Sequence, residues 1–207
     1  MKLYDVILAD PPWQYRKQIG DLATDDFYPT MPIEDICALP VKDIAAKNCA
    51  LFLWVTPPTM FEYAPLVFEA WGFRPVTKAF CWVKSNPSGF GFFTGTGHYT
   101  TSNTEDCWLA IRGSMPRVES VMQIIYSPVR EHSRKPDEQY PKIEKLYPQK
   151  NYLELFARRQ RSGWDVFGNE VEGSIRLPTS RAVDMATPSE NGEALHNQIS
   201  GERGSVA

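Results

Sequence analysis

The sequence lacks the features that mark metal-binding, secreted and membrane proteins. It has four cysteines in 207 residues and no Cys-x-x-Cys pair. A zinc site is therefore not expected, and buried thiols in a reducing compartment are the simpler interpretation. The longest apolar run, Cys49 to Val55, is far too short to span a membrane. Asp5 and Asp10 interrupt the N-terminal apolar stretch, so no signal peptide is expected. These absences predict a cytoplasmic protein with no membrane partner and no bound metal.

A glycine-rich phosphate loop and an excess of positive charge are also missing. The segment from Gly89 to Thr94 departs from Gly-x-Gly-x-x-Gly at its last position, which argues against a dinucleotide or nucleotide-polyphosphate enzyme. The formal net charge is −3, although phosphate contacts favour a basic surface. Residues 130–161 nevertheless hold nine basic and five acidic residues. A solvated helix face explains that stretch as well as a nucleic-acid surface does.

Aromatic residues are absent from the end of the chain. Residues 171–207 contain no Phe, Tyr or Trp and are rich in Ser, Gly, Glu and Asn. Such a segment is predicted to be a disordered tail. Residues 1–170 are long enough for one domain with a sizeable core, and this is the domain division that we expect.

Hydrophobic patterning predicts an α/β domain. Strands are expected near 4–9, 50–55, 76–84, 105–111, 121–126, 152–156 and 164–167, and helices near 32–38, 58–71 and 136–147. Segments 76–84 and 105–111 have no helical pattern between them, so they are expected to pair antiparallel. The connection 85–103 is long enough to indicate a functional loop.

The most informative stretch is Asp10-Pro11-Pro12-Trp13. It follows the apolar run 4–9, so it lies where a buried strand ends, which is where ligands bind in open α/β sheets. The prolines stiffen the turn, and the Asp10 carboxylate and the Pro11 carbonyl become rigid hydrogen-bond acceptors beside an aromatic ring. This set suits a planar ring that carries an amino group. An ordinary strand-to-loop turn is the alternative interpretation.

Further segments appear in a characteristic order. They are Tyr28-Pro29-Thr30-Met31, Leu53-Trp54-Val55-Thr56, Trp82-Val83-Lys84, Thr96-Gly97-His98-Tyr99, Glu105-Asp106-Cys107, Ser133-Arg134-Lys135-Pro136-Asp137-Glu138, Leu153-Glu154-Leu155-Phe156-Ala157-Arg158 and Gly168-Asn169-Glu170. Together with Asp-Pro-Pro-Trp, this series resembles the MT-A70 family of S-adenosylmethionine-dependent adenine N6-methyltransferases. The resemblance runs from about Asp5 to Glu170.

The resemblance implies a fold, a cofactor and a set of site residues. The fold is a Rossmann-like methyltransferase domain with a mixed, mostly parallel sheet and helices on both faces, circularly permuted so that the catalytic motif precedes the cofactor motif. The cofactor is S-adenosyl-L-methionine. The implied catalytic residues are Asp10, Pro11, Pro12 and Trp13. The implied cofactor-binding residues are Asp10, Ser133, Lys135, Glu154, Leu155, Phe156, Arg158, Asn169 and Glu170.

The expected substrate is adenine in nucleic acid. By position, the resemblance implies base or substrate-loop contacts for Tyr28, Trp54, Lys84, His98 and Glu105, and the basic stretch adds Arg159 and Arg161 as candidate phosphate contacts. DNA is favoured over RNA, because short stand-alone members of the family are mostly bacterial or phage proteins associated with DNA. A homodimer or a partner subunit is compatible with the sequence. Two other functions stay open: methylation of a free nucleobase or nucleotide, and nucleic-acid binding by a non-catalytic subunit.

Overall fold

A seven-stranded sheet organises the chain in a computed structural model, which describes residues 2–14, 30–95, 97, 99–131 and 134–177. The strands are β1 (Tyr4–Ala9), β2 (Ala45–Val55), β3 (Arg74–Ser85), β4 (Thr104–Arg112), β5 (Ile124–Pro128), β6 (Tyr152–Leu155) and β7 (Trp164–Phe167). The helices are α1 (Ile33–Ala38), α2 (Val41–Ile44), α3 (Pro57–Glu62), α4 (Ala64–Trp71) and α5 (Gln139–Leu146). None of the helices in these ranges is long and apolar enough to cross a membrane.

The strands lie in the order β5-β3-β4-β2-β1-β6-β7. Four of the six pairings are parallel, and the other two join β4 antiparallel to β2 and β3. The predicted antiparallel pair is therefore confirmed. Because β4 runs against the rest, its first residues lie at the edge where the other six strands end.

Helices cover both faces of the sheet. Alternate residues of β2 divide between two cores, with Leu51 and Leu53 facing the layer of α1, α2 and α4, and Phe52 and Trp54 facing the layer of α5. A strand covered on both faces reads as a continuous apolar run, which is why this segment was visible in the sequence. The mixed, mostly parallel sheet and its two helical layers confirm the Rossmann-like methyltransferase fold. Its circular permutation stays a prediction.

Local structure departs from the predictions in a few places. The helix expected at 58–71 is two helices, interrupted at Tyr63. Pro65 explains the break, because it has no N–H to donate to Phe61. The first of the two, α3, is capped at Thr56, whose N–H donates to Thr59 Oγ1 at 3.1 Å. Helix α2 was not predicted, β2 begins five residues early, and α5 begins three residues after Pro136.

Candidate active site

The carboxyl edge of the sheet gathers most of the residues that the sequence singled out. Asp10 follows β1, Phe156 and Arg158 follow β6, and Asn169 follows β7. Glu105 reaches this edge as the second residue of the antiparallel strand β4. A cleft opens there, and its lining includes seven of the predicted residues: Asp10, Trp54, Lys135, Glu154, Phe156, Arg158 and Arg159.

Four charged side chains form a continuous row beside this cleft. Lys135 Nζ lies 2.7 Å from Asp10 Oδ2 and 3.2 Å from Glu105 Oε2. The other oxygen of Glu105, Oε1, lies 2.6 Å from Lys84 Nζ. The row therefore runs Asp10–Lys135–Glu105–Lys84 and is neutral as a whole. Lys135 is the most enclosed of the four, with 9% of its side chain exposed.

Enclosure and charge act in opposite directions on these groups. Removal from water raises the pKa of Asp10 and outweighs the attraction of Lys135. Burial also acts to raise the pKa of Glu105, but the two lysines prevail and hold that pKa below its ordinary value. Burial acts to lower the pKa of Lys135, yet the two carboxylates prevail and raise it. Lys135 is therefore a permanent cation, while Asp10 is the carboxylate in the row most ready to take a proton.

The Lys135 ammonium also rests on an aromatic ring. Lys135 Nζ lies 5.7 Å from the centroid of the Trp54 ring, within the range of a cation–π contact. The indole N–H of Trp54 donates to Gln139 Oε1 at 2.7 Å. Trp54 is buried in the core, so it supports Lys135 as part of the cleft wall. Its predicted contact with the target base stays a prediction.

The turn after β1 is fixed by its own hydrogen bonds. The Pro11 carbonyl accepts the Trp13 N–H at 2.8 Å, and the Pro12 carbonyl accepts the Met31 N–H at 2.8 Å. Trp13 is buried, and its indole N–H donates to the Trp54 carbonyl at 3.2 Å. Trp13 thus anchors the turn against β2. A carbonyl oxygen has two lone pairs, so the Pro11 carbonyl keeps one for a further donor.

The end of β6 forms the side of the cleft expected to hold the cofactor, and the end of β7 lies next to it in the sheet. Glu154 accepts a hydrogen bond from the Tyr140 hydroxyl at 3.0–3.1 Å, and burial raises the pKa of Glu154 to about 7. Phe156 has the left-handed backbone angle φ of 62°, a strained conformation that is concentrated at functional sites. A Cβ on Gly168 would lie 2.0 Å from the Ala157 carbonyl oxygen. Only glycine therefore allows the two strand ends to approach this closely.

The remaining predicted cofactor residues differ in their surroundings. Leu155 is fully buried in the core, so only its main chain can face a ligand. Arg158 Nε lies 3.3 Å from Glu170 Oε1, and Asn169 and Glu170 are exposed on the turn after β7. Ser133 lies outside the described residues, as do Tyr28 and His98.

The two arginines predicted to contact phosphate lie in different environments. Arg159 is 55% exposed at the cleft, with Nη2 3.8 Å from Asp137 Oδ1. Arg161 pairs with Glu144 at 3.2 Å and stacks on the Tyr140 ring, with 4.2 Å between its guanidinium carbon and the ring centroid. The substrate roles of both residues stay predictions.

Five residues that line the cleft were not among the predicted site residues: Leu8, Arg134, Asp137, Gln139 and Tyr140. All but Leu8 belong to the segment from Ser133 into the first turn of α5, of which only Ser133 and Lys135 had been selected. A sequence signal existed for Gln139, because it shares the helix face of Ile143 and Leu146 at i, i+4 and i+7 and is buried like them. A polar residue on an apolar stripe indicates a specific hydrogen-bond partner.

Comparison with known proteins identifies the family of the chain. The sequence model of the MT-A70 family matches residues 4–170. The chain belongs to the MT-A70 family. This membership confirms the expected enzyme class, an adenine N6-methyltransferase.

Individual MT-A70 relatives differ in how much of their length is matched. The type II methyltransferase M.MunI of Mycoplasma sp. is 34% identical, over 88% of this chain and 84% of its own length. The probable N(6)-adenosine-methyltransferase MT-A70-like of Oryza sativa subsp. japonica is 36% identical over 84% of this chain. The N(6)-adenosine-methyltransferase catalytic subunit METTL3 of Homo sapiens is 30% identical over 82% of this chain. The chain spans 24% of the rice protein and 28% of the human one.

Proposed function

We propose that this chain transfers a methyl group from S-adenosylmethionine to the N6 amino group of adenine in DNA. The observation that carries the proposal is the row Asp10–Lys135–Glu105–Lys84 at the carboxyl edge of the sheet. It combines a rigid acceptor and an enclosed cation, which both line the cleft, with a second carboxylate beside them. An uncharged amino group that becomes cationic as it reacts requires such acceptors.

The residues of the cleft fit the chemical groups of the cofactor. S-adenosylmethionine carries a carboxylate, for which Lys135 is the enclosed cation, and a ribose diol, for which the Glu154 carboxylate offers acceptors. The strained Phe156 main chain and the close approach at Gly168 shape the space between them. When bound, the cofactor supplies an electrophilic methyl group. Ser133, Leu155, Arg158, Asn169 and Glu170 complete the proposed cofactor set.

Asp10 has two roles in this reaction. The adenine amino nitrogen is a poor nucleophile because its lone pair is delocalised into the ring. Hydrogen bonds from its two N–H groups to Asp10 and to the Pro11 carbonyl favour a pyramidal nitrogen and stabilise its developing positive charge. The methylated nitrogen then releases one proton, which Asp10 or water accepts. The raised pKa of Asp10 suits this second role.

The DNA preference rests on how much of each relative is matched. The type II methyltransferase M.MunI is matched over 84% of its own length. The N(6)-adenosine-methyltransferases of rice and humans are matched over about a quarter of theirs. In either nucleic acid, the target adenine must leave its stack or lie in a single strand to reach the cleft.

The test is methylation of matched DNA and RNA pools with labelled S-adenosylmethionine, followed by nucleoside mass spectrometry. Free adenosine and the Asp10→Ala variant serve as controls. We expect N6-methyldeoxyadenosine from the wild-type protein and at least about a hundredfold less from the variant. Label confined to RNA would contradict the DNA preference. Label confined to free adenosine, or absent throughout, would contradict polynucleotide methylation.

A further inference from the structure

Three arginines surround one aspartate at the cleft. Arg130 Nη1 lies 2.6 Å from Asp137 Oδ2, and Arg134 Nη2 lies 2.9 Å from the same oxygen. Arg159 Nη2 lies 3.8 Å from Asp137 Oδ1. Arg134 also pairs with Glu131 at 2.8 Å. We call the arginines 130, 134 and 159 with Asp137 the arginine cage; with Glu131 included, it carries a net charge of +1.

The cage and the proposed catalytic residues share one cleft. Arg134, Asp137 and Arg159 line it together with Asp10 and Lys135. Exposure of the side chains increases from Lys135 at 9%, through Arg134 at 19%, to Arg159 at 55%. The enclosed cation thus lies where a small cofactor would bind. The arginines lie where a larger substrate would arrive.

The chemistry of the cage suits a phosphodiester. Guanidinium groups bind phosphate through paired N–H donors. Asp137 presents two anionic oxygens to the three arginines, as a bound phosphate would. The Nε of Arg134 is buried and has no hydrogen-bond partner among the described residues, and the same holds for the Nε of Arg161. Arg161 differs in its place, because it is not among the residues that line the cleft and its guanidinium is held by Glu144 and the Tyr140 ring.

We infer that Arg134 and Arg159 bind a backbone phosphate of the target strand, and that Asp137 holds them in place until the phosphate displaces it. The inference rests on the proposed function and assigns the substrate contact that this function requires. Two consequences follow with opposite signs. Loss of the arginines weakens oligonucleotide binding, whereas loss of the competing Asp137 charge strengthens it.

The experiment compares variants in oligonucleotide binding, measured by fluorescence anisotropy across a salt series. The test variants are Arg134→Gln/Arg159→Gln and Asp137→Asn. The matched control is Arg74→Gln/Arg117→Gln, which removes the same charge from the opposite edge of the sheet. The conservative double variant Arg134→Lys/Arg159→Lys separates charge from guanidinium geometry. Thermal melts confirm that each variant is folded.

We expect Arg134→Gln/Arg159→Gln to flatten the slope of log K against log salt by about one to two units. It should raise the KM for the oligonucleotide and spare the affinity for S-adenosylmethionine. Arg134→Lys/Arg159→Lys should keep most of the wild-type salt slope. Of all the variants, the control Arg74→Gln/Arg117→Gln should change that slope least. Asp137→Asn should tighten binding by at least about threefold at low salt, because a repelling charge is removed.

Two results would overturn the inference while leaving the proposed function intact. One is a wild-type protein that methylates the oligonucleotide while the arginine double variant keeps the salt slope of the control. The other is weaker binding by a folded Asp137→Asn protein. A wild-type protein that neither binds nor methylates any oligonucleotide would overturn the proposed function and this site together.

Discussion

Replacement of Lys135 by methionine should destabilise the fold in a pH-dependent way. Methionine fills similar space but leaves the Asp10 and Glu105 carboxylates without the cation at 2.7 and 3.2 Å. Removing one partner of a buried ion pair costs about 3–5 kcal/mol. Because Asp10 retains some contact with water, we expect about 3 kcal/mol at pH 8. For a chain of this size, that loss lowers Tm by about 6–12 °C.

The sign of the pH dependence follows from Asp10. Its pKa is already above the unfolded value, because burial outweighs Lys135, and without that cation it rises further. A carboxyl group with a raised folded pKa contributes stability at low pH and loses it as the pH rises through that pKa. The deficit of Lys135→Met relative to the wild-type protein should therefore be largest at pH 8 and smaller near pH 5.

Thermal melts between pH 5 and pH 8 measure this deficit. The control is Lys2→Met, which removes the exposed Lys2–Asp165 pair and should cost no more than about 1 kcal/mol. If Lys135→Met costs no more than this control, Lys135 does not neutralise a buried pair of carboxylates. A deficit that is constant with pH would show that Asp10 is not the group left uncompensated.

Three further predictions concern residues around the same cleft. Gln139→Leu removes the acceptor of the Trp54 indole N–H and should cost about 1–3 kcal/mol in denaturant unfolding, whereas no measurable loss would show that the bond does not matter. Burial raises the pKa of Glu154 to about 7, so wild-type stability should fall as the pH rises through that value. Glu154→Gln should flatten part of this fall in melts from pH 5 to 8, and an unchanged profile would contradict the assignment. Lys135→Ala should weaken S-adenosylmethionine binding by about 1.5–3 kcal/mol and leave adenosine binding unchanged in calorimetry; equal losses for both ligands would place Lys135 away from the carboxylate.

The strands and most of the cleft were visible in the sequence because their signals are local. A strand buried on both faces appears as an apolar run, as β2 does. The turn at Asp10 is marked by prolines that directly follow such a run. The error at 58–71 was also local, because Pro65 stands within the helical pattern and should have predicted its interruption.

The contacts within the site could not be read from the sequence. Lys135 and Asp10 are separated by 125 positions, and no periodic pattern connects them. The segment of Lys135 follows β5, yet its side chain reaches the end of β1 and the beginning of β4. The arginine cage likewise joins segments that are distant in sequence, since Arg159 follows β6 while Arg130 follows β5. The order of the strands brings these segments together, and the antiparallel direction of β4 brings Glu105 to the same edge of the sheet.

The most direct test of the central claim is the turnover of Asp10→Ala at saturating S-adenosylmethionine and oligonucleotide. If Asp10 accepts a hydrogen bond from the amino group and stabilises the developing charge, turnover should fall by at least about a hundredfold, the scale of losing one transition-state contact. Cofactor affinity should stay within about tenfold, and Asp10→Asn, which keeps an acceptor oxygen, should retain more activity than Asp10→Ala. A folded Asp10→Ala protein with wild-type turnover would contradict the mechanism.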